Sequence, residues 1–200
     1  MITAERIISA LHKVCPAYPE EGLNGRPASP AAALVLLAEA EGGLQVLLTK
    51  RAQHLRLHPG QVSLPGGKPE HTDSDPGATA RRETEEETGL RQQDMLHIGY
   101  LAPVLTSSNF ELITAVALMK KPVAVAHREL VPASDEVDEV WFQPLSHLVN
   151  LDNYIAQSVQ RDGRKRKFWK IADTEPVVWG ATAEVLRKLA FGLKSGQAIL

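Results

Sequence analysis

The sequence predicts an α/β (α+β) fold, a mixed β-sheet sandwiched between α-helices, because three features coincide in it. Short Val- and Leu-rich runs of strand length crowd the middle, apolar residues recur at helical spacing at both ends, and a segment rich in helix formers interrupts the strands. With 200 residues, 44% of them apolar and 23% charged, the chain is long enough for one substantial core and short for two. A single domain over residues 1–200 is therefore expected, with an N-terminal helix and linker (1–30) and a C-terminal helix (177–193).

The first stretch, MITAERIISALHKV, places Ala4, Ile7, Ile8 and Leu11 on one helical face, while Glu5 and Arg6 interrupt the apolar core that a secretory peptide needs. Pro16 to Pro30 follows as a connecting loop, since its prolines and glycines exclude a persistent helix or a central strand. Ala31 to Ala38 and Leu44 to Thr49 read as strands joined through Glu41-Gly42-Gly43. The Gly- and Pro-rich stretch from His58 to Pro76 leads into a helix over Gly77 to Thr88, closed by Gly89 where helices favour glycine. Leu96 to Leu101, Leu112 to Met119 and Val137 to Phe142 read as further strands. Asp162-Gly163 reads as the turn of a hairpin between Tyr154 to Gln160 and Lys167 to Ile171. The last helix, Val177 to Leu193, aligns Val178, Val185, Leu186, Leu189 and Leu193 on one face, suited to packing on the sheet.

Bulk properties remove several function classes. A formal charge of −2, from 22 Lys plus Arg against 24 Asp plus Glu, lacks the basic signature of a dedicated nucleic-acid binder, so nucleic acid is disfavoured as a partner. The longest unbroken apolar stretch, Ala31 to Ala38, is eight residues, far below the roughly 20 that cross a bilayer, and no membrane span is expected. Cys15 is the only cysteine, which excludes an internal disulfide and a cysteine-rich zinc site and fits a reducing, cytoplasmic location. Ala198-Ile199-Leu200 is not a peroxisomal signal. Lys68 is followed by Pro69 and Val62 stands where a phosphate-loop glycine belongs, while Ser63 lacks nucleophile-elbow glycines; ATP-driven work and covalent hydrolysis are disfavoured. A homodimer stays open.

The chemistry concentrates in Arg82-Glu83-Thr84-Glu85-Glu86-Glu87-Thr88-Gly89, which puts four carboxylates into five successive residues of the expected helix. At about 100° per residue, Glu83, Glu86 and Glu87 share an arc of roughly 100° while Glu85 points away. Like charges so spaced cost about 0.2–0.5 kcal/mol per pair and here meet the negative end of the helix dipole. A solvated acidic face neutralised by Arg81 and Arg82 is the plain reading of such a helix taken alone. A divalent cation reverses the sign of the cost, and hard carboxylate oxygens suit Mg²⁺ or Mn²⁺. Just upstream, Leu64-Pro65-Gly66-Gly67-Lys68 supplies adjacent glycines that let a backbone carbonyl approach such an ion. Loop and helix together favour the metal reading.

Residues Gly67 to Leu90 resemble the signature of the Nudix hydrolases, in which a glycine, an acid and an Arg-Glu…Glu-Glu…Gly helix form a loop-helix-loop. Asp73 follows Gly67 after five residues where the general pattern has glutamate, and eight residues separate it from Arg82 where the pattern has seven. Arg82-Glu83-x-x-Glu86-Glu87-x-Gly89-Leu90 is intact, with Thr84 at a position that is usually apolar. The resemblance implies a Nudix-type mixed sheet between helices and metal-assisted attack of water on a diphosphate. On it, Glu83 and Glu87 are the principal metal ligands, Glu86 is a ligand or water-activating base, and the Gly67 carbonyl is an additional ligand. Arg82 belongs to the catalytic set as the group that orients these glutamates.

Leu47-Leu48-Thr49-Lys50-Arg51-Ala52, then Arg56, Gly60 and Leu64-Pro65-Gly66-Gly67, resemble the upstream signature of the coenzyme A pyrophosphatase branch of that family, with Leu64 in place of the usual phenylalanine. This implies hydrolysis of CoA or acyl-CoA to 4′-phosphopantetheine, or its acyl form, and adenosine 3′,5′-bisphosphate. Arg51 and Arg56 suit bidentate phosphate contact, with His58, Gly60 and Gln61 on the same wall; as a strand-end charge and a loop anchor, both arginines also have plain structural readings. Rival expectations are a diphosphatase for ADP-ribose or another nucleoside diphosphate derivative, and a silent ligand- or RNA-binding module. Of the downstream acids, Glu136 and Glu139 are candidates to join the metals and read equally well as exposed strand-entry charges. The five cations of Arg161 to Lys167 read first as a solvated hairpin tip, with an acidic ligand or RNA as alternatives.

Overall fold

The computed structural model describes residues 4–17, 28–161 and 163–196, so most of the expected Pro16 to Pro30 loop, Asp162 and the Ala198 to Leu200 tail lie outside the described residues. Helix α1 (Ala4–Val14) opens the described chain, and β1 (Ser29–Ala40) and β2 (Gly43–Arg51) form the expected hairpin. Two short strands, β3 (Val62–Ser63) and β4 (Gly66–Gly67), precede α2 (Pro76–Thr88), and β5 (Met95–Leu105) and β6 (Phe110–Met119) form a second hairpin. The single turn α3 (Val123–Ala126) leads to β7 (Val137–Pro144), and α4 (Leu145–Leu148) to the hairpin β8 (Tyr154–Arg161) and β9 (Arg164–Ile171). Helix α5 (Gly180–Ser195) is last.

The main sheet is mixed, as the sequence predicts. Its path runs β3-β2-β1-β6-β5, with β7 on the other edge of β2, and β1 and β6 are its parallel pair. Strand β1 is covered on both faces, which is why its apolar run is continuous instead of alternating. Leu34 and Leu36 join Leu47, Ala80 and Leu90 beneath α2, whereas Val35 and Leu37 join Leu48, Leu186 and Leu189 beneath α1 and α5. Among the described residues no helix is long and apolar enough to cross a membrane.

Strands β1 and β2 pair only near their turn, from Leu37 opposite Val46 to Ala40 opposite Gly43. Beyond it they part, and the β3–β4 segment fills the gap: Thr49 and Lys50 pair with β3, and Ala32 and Ala33 pair with β4. This wedge brings Gly66 and Gly67 against the sheet. At Gly66, with φ of 157°, an added Cβ would stand 2.2 Å from the Ala32 carbonyl oxygen. Backbone cannot retreat as a side chain can, so Gly66→Ala should cost more than about 1 kcal/mol, read as a lowered urea midpoint.

The C-terminal helix begins at Gly180, three residues after the expected Val177. Residues 177–179 stay extended instead: the Ile171 N–H donates to the Val178 carbonyl (2.9 Å), the Val178 N–H donates to Thr174 Oγ1 (3.0 Å), and Lys170 bridges Trp179. Val178 is buried as its helical spacing suggests, but through strand-like contacts that satisfy backbone groups a helix start would leave open.

Candidate active site

Helix α2 is fixed at both ends by local chemistry. Asp75 caps it by accepting from the Ala78 N–H (2.9 Å), Pro76 supplies the first helical residue, and Gly89 ends it in the left-handed region at φ of 77°. The Tyr100 hydroxyl on β5 donates to Asp75 Oδ1 (3.0 Å) and accepts from the Gly77 N–H (3.1 Å), tying the helix start to the sheet. The face turned to the sheet carries Gly77, Thr79, Ala80, Thr84, Glu87 and Thr88, small or polar rather than bulky. Thr84, at the position usually apolar, is fully buried because its hydroxyl donates to the Ala80 carbonyl (2.6 Å) within the same helix. Small residues there let the helix, and its carboxylates, come close to β1 and β4.

The glutamates divide as the helical wheel requires. Glu87 is 3% exposed, and one of its oxygens, Oε2, has no hydrogen-bond partner among the described residues. Burial pushes its carboxyl up to about 8, against the opposing charge of Arg51 and with repulsion from Glu83 and Glu136 added. Glu83 packs on Gly67 so closely that a Cβ there would meet its carboxylate at 2.4–2.6 Å. Burial raises its pKa as well, while Arg82 opposes the rise. Glu86 is more than half exposed and accepts from Arg82 Nη1 at 2.8 Å. Glu85 points away, taking the Gln92 N–H at 3.2 Å.

Arg82 is the hub of the loop-helix-loop. Its guanidinium donates to both oxygens of Asp73 (3.1 and 3.0 Å), to Glu86 and to the Lys68 carbonyl (3.0 Å), and pairs with Glu83 at 3.1 Å. Asp73, a shorter acid set one residue farther back than the family pattern, reaches it because a turn closes at 70–73, where Glu70 N–H donates to Asp73 Oδ2 (2.8 Å). The Arg82 bond holds the Asp73 carboxyl well down, at about 2. Every donor edge of Arg82 is directed at the protein, so it orients the carboxylates instead of reaching into solvent.

The upstream motif separates in space. Arg51, at the end of β2, lies where its charge acts on Glu87, and its Nε is buried without a partner among the described residues. Gly60 and Gln61 close the loop after it: Gly60 N–H donates to the Arg51 carbonyl and Arg51 N–H to the Gln61 carbonyl, both 3.0 Å. His58 Nδ1 and Gln61 Oε1 are 3.0 Å apart and satisfy each other, while Arg56 is exposed on the same loop and among the described residues pairs with no carboxylate. The downstream acids are not equivalent. Glu139 is paired with Lys50, whereas Glu136 acts on Glu83 and Glu87. Glu136 is held there because its carbonyl accepts from the Ala52 N–H (2.9 Å) and the Ala133 N–H donates to the Glu87 carbonyl (3.0 Å). Spacing in sequence offered no way to separate the two.

An apolar cleft of about 170 Å³, bordered by Ala33, Leu64, Leu112 and Val185, shares Gly66 and Gly67 with the acidic site. A larger, shallower depression of about 480 Å³ near Glu39, Gln45 and Val123 sits at the β1–β2 turn and shares no residue with α2. Residues 28–161, two thirds of the chain, match the NUDIX domain model. The chain belongs to the Nudix family. An uncharacterized Nudix hydrolase, NudL, of Enterobacter sp. (strain 638) is 33% identical to it over 189 residues, 94% of either chain, and one named alike from Salmonella paratyphi B is 34% identical over the same share. The crystal structure of a NUDIX hydrolase from Alicyclobacillus acidocaldarius covers 87% of this chain and 98% of its own at 19% identity and a TM-score of 0.50, a likeness in fold.

Nudix hydrolases act with divalent cations, and the residues of this Nudix site fit one by donor chemistry. Glu83, Glu86 and Glu87 offer hard oxygens from one side of α2, with Glu83 against Gly67, and Oε2 of Glu87 is a buried acceptor without a partner among the described residues. Among the described residues no three acidic, histidine or cysteine side chains form a ready-made chelate, because Arg82 holds Glu86 and shares Glu83. Gly67→Ala isolates the close packing of glycine on Glu83. Its Cβ would first meet a side-chain carboxylate, which can shift, so activity should fall at least about 10-fold with the unfolding midpoint nearly unchanged; equal loss of both would show that Gly67 serves the fold alone.

Proposed function

We propose that this Nudix hydrolase, acting as one domain with added terminal helices, cleaves the pyrophosphate bond of CoA and its thioesters with Mg²⁺ or Mn²⁺, in the cytoplasm. The observation that carries the hydrolytic reading is the buried, unpartnered carboxylate oxygen of Glu87 beside Glu83 and Gly67. A bound cation would supply charge neutralisation at the diphosphate and acidify a water. Glu83, Glu87 and the Gly67 carbonyl would hold it, with Glu136 near enough to add charge. Glu86, the exposed member, takes the proton from water as its oxygen attacks phosphorus. The bridging P–O bond then breaks, releasing 4′-phosphopantetheine or its acyl form from adenosine 3′,5′-bisphosphate. Arg82 orients Glu83 and Glu86 from behind and touches no substrate.

The choice of CoA rests on the resemblance carried by Leu47 to Gly67, supported by Arg51 beside the acids and by Arg56 unpaired on the loop that His58, Gly60 and Gln61 shape. The test is product detection with CoA, acyl-CoA and ADP-ribose, with and without Mg²⁺ or Mn²⁺. Efficient cleavage of ADP-ribose with CoA untouched would overturn the substrate and keep the chemistry. Glu86→Gln is expected to lower kcat by at least about 100-fold, the scale of removing a general base. An unchanged kcat would take Glu86 out of the mechanism.

A further inference from the structure

Some cations of this protein are neutralised by carboxylates and others are not. Lys50, Arg82, Arg91 and Lys121 are each paired with carboxylates. Lys68 and Arg166, like Lys120, Lys188 and Arg187, contact groups that carry no charge, and among the described residues neither pairs with a carboxylate. Lys68 directly follows Gly67, and its carbonyl accepts from Arg82, yet its ammonium turns from the acids and lies 5.7 Å from the centre of the Phe110 ring. Phe110 closes a tight turn after β5, in which Thr106 N–H donates to the Phe110 carbonyl (2.9 Å) and Phe110 N–H to Thr106 Oγ1 (3.0 Å). Arg166 on β9 donates from Nη1 to the Ser107 carbonyl of that same turn at 3.2 Å.

One turn therefore carries two cations on its flanks, one of them a single residue from the candidate diphosphate site. An aromatic face or a carbonyl positions a cation without neutralising it, and a guanidinium that spends one N–H on a carbonyl keeps the others for an anion. Lys165 and Lys167, both exposed, add positive charge beside Arg166. The apolar cleft reaches this rim through Leu112, two residues after Phe110, and Gly67. An anion engaged here would belong to the molecule whose diphosphate lies at Gly67.

We propose that Lys68 and Arg166 form a subsite for a phosphomonoester on the ribose of the substrate nucleotide, so that a diphosphate with a 2′- or 3′-phosphate is preferred to one without. The inference rests on the diphosphate reading of the neighbouring acidic helix and goes beyond it by assigning the second anion. The experiment compares CoA with 3′-dephospho-CoA and NADPH with NADH as substrates of the full-length protein and of its Lys68→Met and Arg166→Gln variants. Competition by adenosine 3′,5′-bisphosphate against AMP gives a binding readout independent of turnover.

The wild type should favour the phosphorylated member of at least one pair in kcat/KM. Each variant should lower kcat/KM for that member at least about 10-fold more than for its partner, chiefly through KM, and should weaken competition by the bisphosphate more than by AMP. No preference in either pair, or equal losses for both members, would overturn the subsite. CoA cleaved without preference over its dephospho form, with no preference for NADPH, sinks the subsite and keeps CoA as substrate. A Lys68-dependent preference for NADPH with CoA untouched keeps the subsite and sinks CoA.

Discussion

Glu87→Gln is expected to lower kcat/KM for diphosphate hydrolysis by about 100- to 1,000-fold while making the cation-free protein less sensitive to alkaline pH. The first effect is the scale of losing one preorganised electrostatic contact to the charge that develops in reaction. The second follows from burial. In the folded protein the Glu87 carboxyl titrates near about 8 against an ordinary value of 4.5, so folding favours its protonated form. Its contribution to stability is complete below about 4.5 and is lost as pH rises through about 8. In chelator, the Tm of the wild type should fall between about pH 5 and 8 relative to Glu87→Gln and level off above that, and Mg²⁺ should restore it in the wild type alone. Parallel pH profiles for the two proteins would mean that Glu87 is not the buried acid described here.

Arg82→Ala is expected to abolish activity and to cost about 3–5 kcal/mol of stability, roughly 6–20 °C in Tm for a domain of this size. The side chains of Arg82, Asp73 and Glu83 are 15%, 6% and 17% exposed, so removing the cation strands two largely buried carboxylates. Asp73 provides the check on cause. Its folded pKa is depressed to about 2 from 3.8, with the Arg82 hydrogen bonds as the largest cause, so the stability it contributes is present above about 3.8 and is lost as pH falls through about 2. The difference in stability between wild type and Arg82→Ala should therefore narrow across that window. Arg82→Lys keeps the charge without the planar fork and should recover part of the Tm and little of the activity. A Tm for Arg82→Ala within about 2 °C of the wild type would show that the hub carries no structural load.

The acidic helix, its glycine terminator and the division of Glu85 from Glu83, Glu86 and Glu87 were legible in the sequence because each depends on neighbours within one or two turns. Asp75 was legible in kind: a capping acid before Pro76 is a recognisable helix start, and it sets the boundary one residue before Gly77. Val177 to Trp179 misled because a helical face and a buried strand both want Val178 inside, and the choice fell to backbone groups of Ile171 and Thr174 that helical spacing does not register.

Periodicity and capping, which act over a few residues, determined from sequence alone that a mixed sheet would be flanked by helices and that one helix would carry a set of acids on one side. Tertiary structure alone decided which acid is buried, which is paired with Arg82, and that the charges of Glu136 and Arg51, not that of Glu139, act on Glu87. Those outcomes depend on the parting of β1 from β2 and on where the loop before β7 is pinned. Such long-range pairings set the local dielectric and the distances between charges, and a linear pattern of residues contains neither.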